Sequence, residues 1–167
     1  MKITVISDSH RNYTRLKEVV DRNLDSDLFI HLGDGLLEIR DITNEYAKKY
    51  PNLKFAYVRG NSDFADHEDD CVIELSGNKI FCTHGHNYDV HWGLRRLSEK
   101  ARTFGCKIAL FGHTHIYRTE LVEGLYIMNP GSLDRPRGGN RATYGIIDIS
   151  DEGKIDMNIV AYKEKTS

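Results

Sequence analysis

Ile108-Ala-Leu-Phe-Gly-His-Thr-His115 is a short apolar run that closes on a glycine and two histidines one residue apart. An apolar run of this length stopped by glycine predicts a buried strand ending at a turn. An extended or looped backbone there turns His113 and His115 into the same space, and two imidazoles brought together point to a metal. Alone, a His-x-His is equally at home as a pair of polar loop residues. Recurrence decides between the two. Ile3 to Ile6 runs into Ser7-Asp8-Ser9-His10, Leu28 to Leu32 into Gly33-Asp34-Gly35, and Ile80 to Cys82 into Thr83-His84-Gly85-His86. Phe55 to Val58 likewise runs into Arg59-Gly60-Asn61-Ser62-Asp63. In an open α/β sheet, ligands sit outside the carboxyl ends of the strands. The repeated pattern therefore predicts one shared site.

A chain of 167 residues is one domain's worth, 1–167, able to bury about two thirds of its unfolded surface around a single core. Lys+Arg 23 against Asp+Glu 25 gives a net charge of -2. That balance offers no polybasic footprint for a long nucleic acid or an anionic membrane. Met1-Lys2 leads directly into a strand pattern without a signal-like apolar segment, and no apolar run approaches the length that spans a bilayer. These features predict a soluble, cytoplasmic protein, with a homo-oligomer left open. Cys71, Cys82 and Cys106 are odd in number and lack Cys-x-x-Cys spacing, so they are expected as small core residues rather than disulfide or zinc ligands.

The elements follow in order. A strand over 2–7 precedes a helix over 13–23, capped by Asn12, with Leu16, Val19 and Val20 as its apolar stripe. A strand over 28–32 precedes a helix over 36–49, where Ile39, Ile42 and Tyr46 repeat at helical spacing and Pro51 closes the segment. After a strand over 55–58 comes an acidic stretch, then a hairpin of 71–75 and 79–83 around Ser76-Gly77-Asn78. A helix over 94–104 feeds the strand that begins at Ile108, and strands over 117–122, 125–128, 143–149 and 154–162 complete the chain. The Gly-, Pro- and Arg-rich segment 129–141 is expected to be a surface loop. A βαβαβ half followed by a strand-rich half with one helix predicts an α/β fold of two packed sheets with helices outside.

The strand ends supply Asp8, His10, Asp34, Asn61, His84, His113 and His115. Seven donors exceed what one ion takes, whereas two ions sharing Asp34 would receive four protein bonds each. Mixed nitrogen and oxygen donors without thiolate suit a divalent transition metal better than calcium or magnesium. Manganese is the first choice, with nickel, iron, cobalt and zinc as further candidates. Arg59, Arg135 and Arg137 are candidates for gripping an anionic ligand, since guanidinium forks fit oxyanions.

Asp8-Ser9-His10, Gly33-Asp34, Gly60-Asn61-Ser62-Asp63, Thr83-His84-Gly85-His86 and Gly112-His113-Thr114-His115 occur in that order. They resemble the five blocks of the calcineurin-like metallophosphoesterase superfamily. The short chain, the Asn129-Pro130-Gly131-Ser132 segment and the second histidine of Thr-His-Gly-His are similar to its small bacterial and archaeal phosphodiesterase branch, which also contains the retromer subunit of eukaryotes. The resemblance implies a four-layer α/β/β/α sandwich of two mixed sheets with a dinuclear metal site at the strand ends. It assigns Asp8, His10, Asp34 and His115 to one metal and Asp34, Asn61, His84 and His113 to the other. It also implies hydrolysis of a small phosphoester, most simply a diester, by hydroxide held between two metals for in-line attack on phosphorus. Asn61 contributes a neutral ligand, and Asp63 is a candidate for orienting a neighbouring ligand.

One position departs from the wider superfamily. Where many members continue the Gly-Asn block with a histidine that protonates the leaving oxygen, this chain has Ser62. His86 is the nearest substitute. His31, His67 and His91 belong to no motif and are expected to be structural or solvated. The same site would serve a phosphomonoesterase, and the same fold serves a non-catalytic scaffold in the retromer subunit.

Overall fold

A computed structural model describes residues 1–164, so the last three residues of the expected domain lie outside the described part. Among the described residues, ten strands and three helices follow the expected order. β1 (Lys2–Ile6), α1 (Tyr13–Arg22), β2 (Leu28–His31), α2 (Leu36–Lys49) and β3 (Lys54–Tyr57) form the βαβαβ half. β4 (Asp70–Leu75), β5 (Asn78–Thr83), α3 (Arg95–Thr103), β6 (Ile108–Leu110), β7 (Arg118–Val122) and β8 (Leu125–Asn129) follow. β9 (Thr143–Ile149) and β10 (Ile155–Ala161) return to the first half. One sheet has the order β10-β9-β1-β2-β3 and the other β4-β5-β6-β8-β7. Both are mixed: β1, β2 and β3 run parallel, as do β5, β6 and β8, while the remaining strands pair antiparallel.

The period-2 alternation of buried strands builds the four layers. Inward residues Ile3, Val5 and Ile30 of the first sheet meet Ile80, Cys82, Ile108, Leu110 and Met128 of the second in a dry interior. Outward residues Ile6, Phe29 and Ile146 carry α1 and α2 through Leu16, Val19, Val20, Ile39, Ile42 and Tyr46. Phe81, Ala109 and Ile127 carry α3 through Leu97 and Ala101. Each valine, leucine, isoleucine, phenylalanine or methionine among them, fully buried, contributes about 1.5–3 kcal/mol relative to exposure. Asn12 caps α1 as expected, its side chain accepting from Arg15 N at 3.1 Å.

Three expectations need correction. The segment 129–141 is a surface loop only in its second half, because Asn129, Pro130, Gly131, Ser132 and Leu133 are buried. Their polar groups are committed: Asn129 Nδ2 donates to Gly112 O at 2.8 Å, and Ser132 Oγ donates to Asp8 O at 2.8 Å. Cys82 and Cys106 are buried core residues, but Cys71 is only half-buried, since it lies on the edge strand β4. A single 3-10 turn at His86–Tyr88, absent from the sequence reading, carries the chain away from β5.

Candidate metal centre

The loops that leave β1, β2, β5 and β6 are stitched together by their own backbones. Asp8 N donates to Gly33 O at 3.0 Å, His10 N to Asp34 O at 2.8 Å, and Gly112 N to His84 O at 3.0 Å. Such tight packing leaves little room for side chains. A Cβ on Gly60 would collide with Asp34 Oδ1, and one on Gly112 with Ser7 Oγ and Asp8 Oδ2. Asp8, His10, Asp34, His113 and His115 all take left-handed backbone conformations, with φ between 41° and 67°. Non-glycine residues rarely adopt that region, and clusters of them mark sites where geometry is imposed by function.

The imposed geometry brings donor atoms together. Asp8, His10, Asp34 and His115 each offer an atom within 4.8 Å of the others. His115 Nε2 lies 3.1 Å from Asp8 Oδ1 and 3.1 Å from His10 Nε2. On the other side, His84 Nε2 lies 3.0 Å from Asn61 Oδ1 and 3.6 Å from Asp34 Oδ2. The His113 ring is 5.1 Å from the His84 ring, centroid to centroid. Both carboxylates reach across: Asp34 Oδ2 lies 3.6 Å and Asp8 Oδ1 3.9 Å from His84 Nε2.

These atoms fit a cation. His115 Nδ1 meets the Arg135 carbonyl at 2.7 Å and His84 Nδ1 meets the Leu32 carbonyl at 2.7 Å. A carbonyl only accepts, so both Nδ1 atoms carry hydrogen and both Nε2 atoms turn a lone pair inward unless a second proton is added. Asp8 Oδ1 is buried with no N–H fixed on it among the described residues; His115 Nε2, 3.1 Å away, bonds it only when protonated. Burial pushes the Asp8 carboxyl up, but the bond and charge of His115, with His84 and Ser7, hold it below the usual carboxylate range. Burial pushes His115 down, yet Asp8 and the Arg135 carbonyl raise it above the ordinary imidazole value. A metal ion at this pair competes with a proton for the same donor atoms. Burial lowers His10 against the pull of Asp8 and Asp34, and lowers His113 to about 4, with the charges of His84 and His91 adding to it. Proton-poor imidazoles are metal-ready imidazoles.

The remaining candidates divide. Asp63 accepts four backbone N–H groups: Asp34 N at 2.8 Å and Gly60 N at 2.9 Å on Oδ2, Gly35 N and Leu36 N at 3.0 Å on Oδ1. It fixes the corner that presents Asp34 and caps the otherwise uncapped start of α2. Arg135 and Arg137 line the mouth above His10, Asn61 and His113. Arg59 does not; it is paired with Asp69 at 2.7 Å and lines a separate depression. His86 stands off, its ring 5.5 Å from His84 and 6.1 Å from His113. Its Nδ1 is buried without a partner among the described residues, and burial lowers its pKa.

Of the histidines without a motif, His31 is structural, bonding Ser9 Oγ at 2.9 Å and accepting from Gly33 N at 3.2 Å. His67 bonds the Tyr57 carbonyl at 2.9 Å. His91 is different. Its ring lies 4.8 Å from His113 and it lines the mouth of the site. The sequence offered no local signal for it, because the turn after β5 folds it back across several residues.

Residues 1–152 match the calcineurin-like phosphoesterase superfamily domain. The chain is 34% identical over 155 residues to the probable metallophosphoesterase YsnB of Bacillus subtilis, covering 91% of this chain and 86% of the relative. A crystal structure of a predicted phosphoesterase from Streptococcus pneumoniae superposes with a TM-score of 0.77 at 32% identity, covering 93% of this chain and 87% of the other. The phosphoesterase YfcE of Escherichia coli, also called a phosphodiesterase, superposes with a TM-score of 0.67 at 26% identity, covering 96% and 99%. A likeness that runs through the fold and nearly the full length of the chain places this protein in the calcineurin-like phosphoesterase superfamily, whose metallophosphoesterases hydrolyse phosphoesters with divalent metals.

Proposed function

We propose that the chain is a phosphodiesterase that works as a single domain in the cytoplasm and holds two divalent transition metals, manganese first among them. The observation that carries this reading is the convergence of His84 Nε2 and His115 Nε2 on Asp34, Asp8 and Asn61, with their opposite nitrogens tied to backbone carbonyls. Asp8, His10, Asp34 and His115 would hold one ion, and Asp34, Asn61, His84 and His113 the other. When bound, such a pair generates a nucleophile from water at neutral pH and offsets charge on the phosphoryl oxygens.

The chain's own residues do the rest. Asp63 keeps the Asp34 backbone in its left-handed turn, and Ser62 N and Oγ donate to the two Asp34 oxygens at 2.8 and 3.0 Å. Arg135 and Arg137, at the mouth, supply positive charge for a phosphodiester monoanion. No strong proton donor stands at Ser62, and burial leaves His86 poor in protons at neutral pH. Diesters with stable leaving groups are therefore the natural substrates to test, in keeping with the name of YfcE. The test is metal content measured together with hydrolysis of bis(p-nitrophenyl) phosphate. Chelation should abolish turnover, and manganese should restore it better than magnesium, with two ions bound per chain. Undiminished turnover by metal-free protein overturns the reading.

A further inference from the structure

Cys71 and Cys82 share no motif in the sequence, yet they are direct partners in the antiparallel register of β4 and β5. Directly opposed residues share a face of the sheet. Cys82 is fully buried in the core between the two sheets, and Cys71 packs against that core. Cys106 lies on the opposite face, among Phe81, Leu97 and Ala101, and competes for neither. The Cys82 thiol donates to the Cys71 sulfur, a bond that draws the Cys71 thiol below its ordinary range and, with burial, pushes Cys82 up.

The turn fixes the kind of rung this pair occupies. Ser76 and Gly77, both at positive φ, join Leu75 to Asn78 in a two-residue hairpin turn, and the residues that close such a turn are hydrogen-bonded to each other. Hydrogen-bonded and non-hydrogen-bonded rungs alternate from there, so Leu75 with Asn78, Ile73 with Ile80 and Cys71 with Cys82 are all hydrogen-bonded rungs. A rung of this kind sets the Cα atoms about 5.5 Å apart, within the range a disulfide spans. Its Cβ atoms stand wider than the roughly 3.8 Å of a relaxed disulfide, so the bond forms under strain and is readily reduced. β5 is held on both sides, by β4 and β6, whereas β4 is the edge of its sheet. On closure β4 gives way, and β5, which leads to His84, stays in place.

We propose that Cys71 and Cys82 are a peroxide-responsive dithiol, closing to a reversible disulfide that clasps the edge strand β4 to its sheet. Cys71, half-buried on the edge, meets the oxidant first. Its sulfur attacks hydrogen peroxide, the O–O bond breaks, and sulfenic acid and one water result. The Cys82 sulfur then displaces the hydroxyl as a second water and the S–S bond forms. Two thiols thus give up two electrons and two protons to one peroxide. A small dithiol reverses the bond by exchange. An unpaired edge strand is where a sheet opens and aggregates, and oxidant closes the clasp there.

The full chain, with and without manganese, is treated with a few equivalents of hydrogen peroxide, and its thiols are counted after denaturation. The count should fall from three to one, with a peptide linking Cys71 to Cys82 and full recovery in dithiothreitol. Cys106→Ala should still form the bond. Cys82→Ala should stop at a Cys71 sulfenic acid that dimedone traps. The amides of Cys71 and Ile73 should exchange with solvent at least about tenfold more slowly in the oxidised chain, the scale expected of a short-loop disulfide on an edge strand. Three thiols surviving peroxide, a cross-link between two chains, or Cys71 oxidised beyond sulfenic acid with Cys82 free each overturn the proposal, as does equal amide exchange in the two forms. The wild-type thiol count decides even if Cys82→Ala does not fold.

Discussion

The corner built around Asp63 and the cluster built around Asp8 are both made of aspartate, histidine and tight glycine turns, yet their hydrogen bonding is opposite. At the corner everything is matched: Asp63 takes four N–H groups, and His31 both donates and accepts. In the cluster, Asp8 Oδ1 has no N–H fixed on it among the described residues, only His115 Nε2 at 3.1 Å, which bonds it when protonated, and imidazole nitrogens face carboxylates with too few protons to go round. A buried polar group left unpaired costs about 1–3 kcal/mol, so a fold keeps one only where something else binds. Satisfaction of polar groups therefore separates scaffold from site better than residue type does.

The sharpest way to break this comparison is to damage one residue on each side. Asp34→Asn removes an anion from both donor groups but keeps side-chain volume and most backbone contacts. Hydrolysis should fall by more than about 100-fold, since even the partners of metal ligands cost 10- to 100-fold when lost. Metal content should fall with it, while the melting temperature of metal-free protein stays near that of the wild type. A variant that keeps both metals and loses rate would move Asp34 out of its shared position.

Asp63→Ala should show the reverse pattern. Four backbone N–H groups lose a charged acceptor, and because water reaches part of this corner the cost is about 3 kcal/mol, or roughly 10 °C in melting temperature. The metal-free protein should suffer as much as the loaded one. If only the loaded protein is destabilised, Asp63 belongs to the site rather than to the scaffold.

His31 sharpens the comparison through pH. Burial pushes its pKa down to about 4, against an ordinary value of 6.5. Between those values the unfolded chain takes up a proton that the folded chain refuses, so the unfolded state gains as pH falls. The contribution of neutral His31 is complete above pH 6.5 and is lost progressively toward pH 4, for a total of roughly 3 kcal/mol. Denaturant titrations of metal-free protein across that window should show this slope, flattened in His31→Gln. An unchanged slope in the variant assigns the proton uptake elsewhere.

Much of this was legible in the sequence because the site hangs on strand ends. Apolar runs that stop at glycine give both the strands and the point where donors leave them, and Ile39, Ile42 and Tyr46 gave α2 its full range. What stayed hidden depends on contacts made across space. The ion pair of Arg59 with Asp69 joins residues that look equally free in the chain, and His91 reaches the mouth only through the turn at His86–Tyr88. The burial of Asn129 and Ser132 was masked by neighbours typical of loops. Their side chains replace backbone partners for Gly112, Asp8 and the turn itself, which composition does not reveal.

The smallest expected effect concerns Ser62, which sits between the two regions, bonded to Asp34 and open to the mouth. A serine hydroxyl is a poor general acid, and burial lowers the pKa of His86, so neither is a good proton source at neutral pH. A missing acid costs about 100- to 10,000-fold when the leaving alkoxide is basic, and far less for a stable phenolate. Wild type should therefore lose rate steeply along a series of diesters with rising leaving-group pKa. Ser62→His gives up the hydroxyl bond to Asp34 but keeps the backbone one, and its imidazole faces the mouth. It should leave aryl diesters within a few-fold of wild type and raise the poorest leaving groups, flattening the series. His91→Ala and His86→Ala run alongside, because His91 lines the same mouth and His86 stands behind it. If wild type is already flat and one of these two variants restores the slope, that histidine delivers the proton, and the cluster reaches one residue further than its hydrogen bonds suggest.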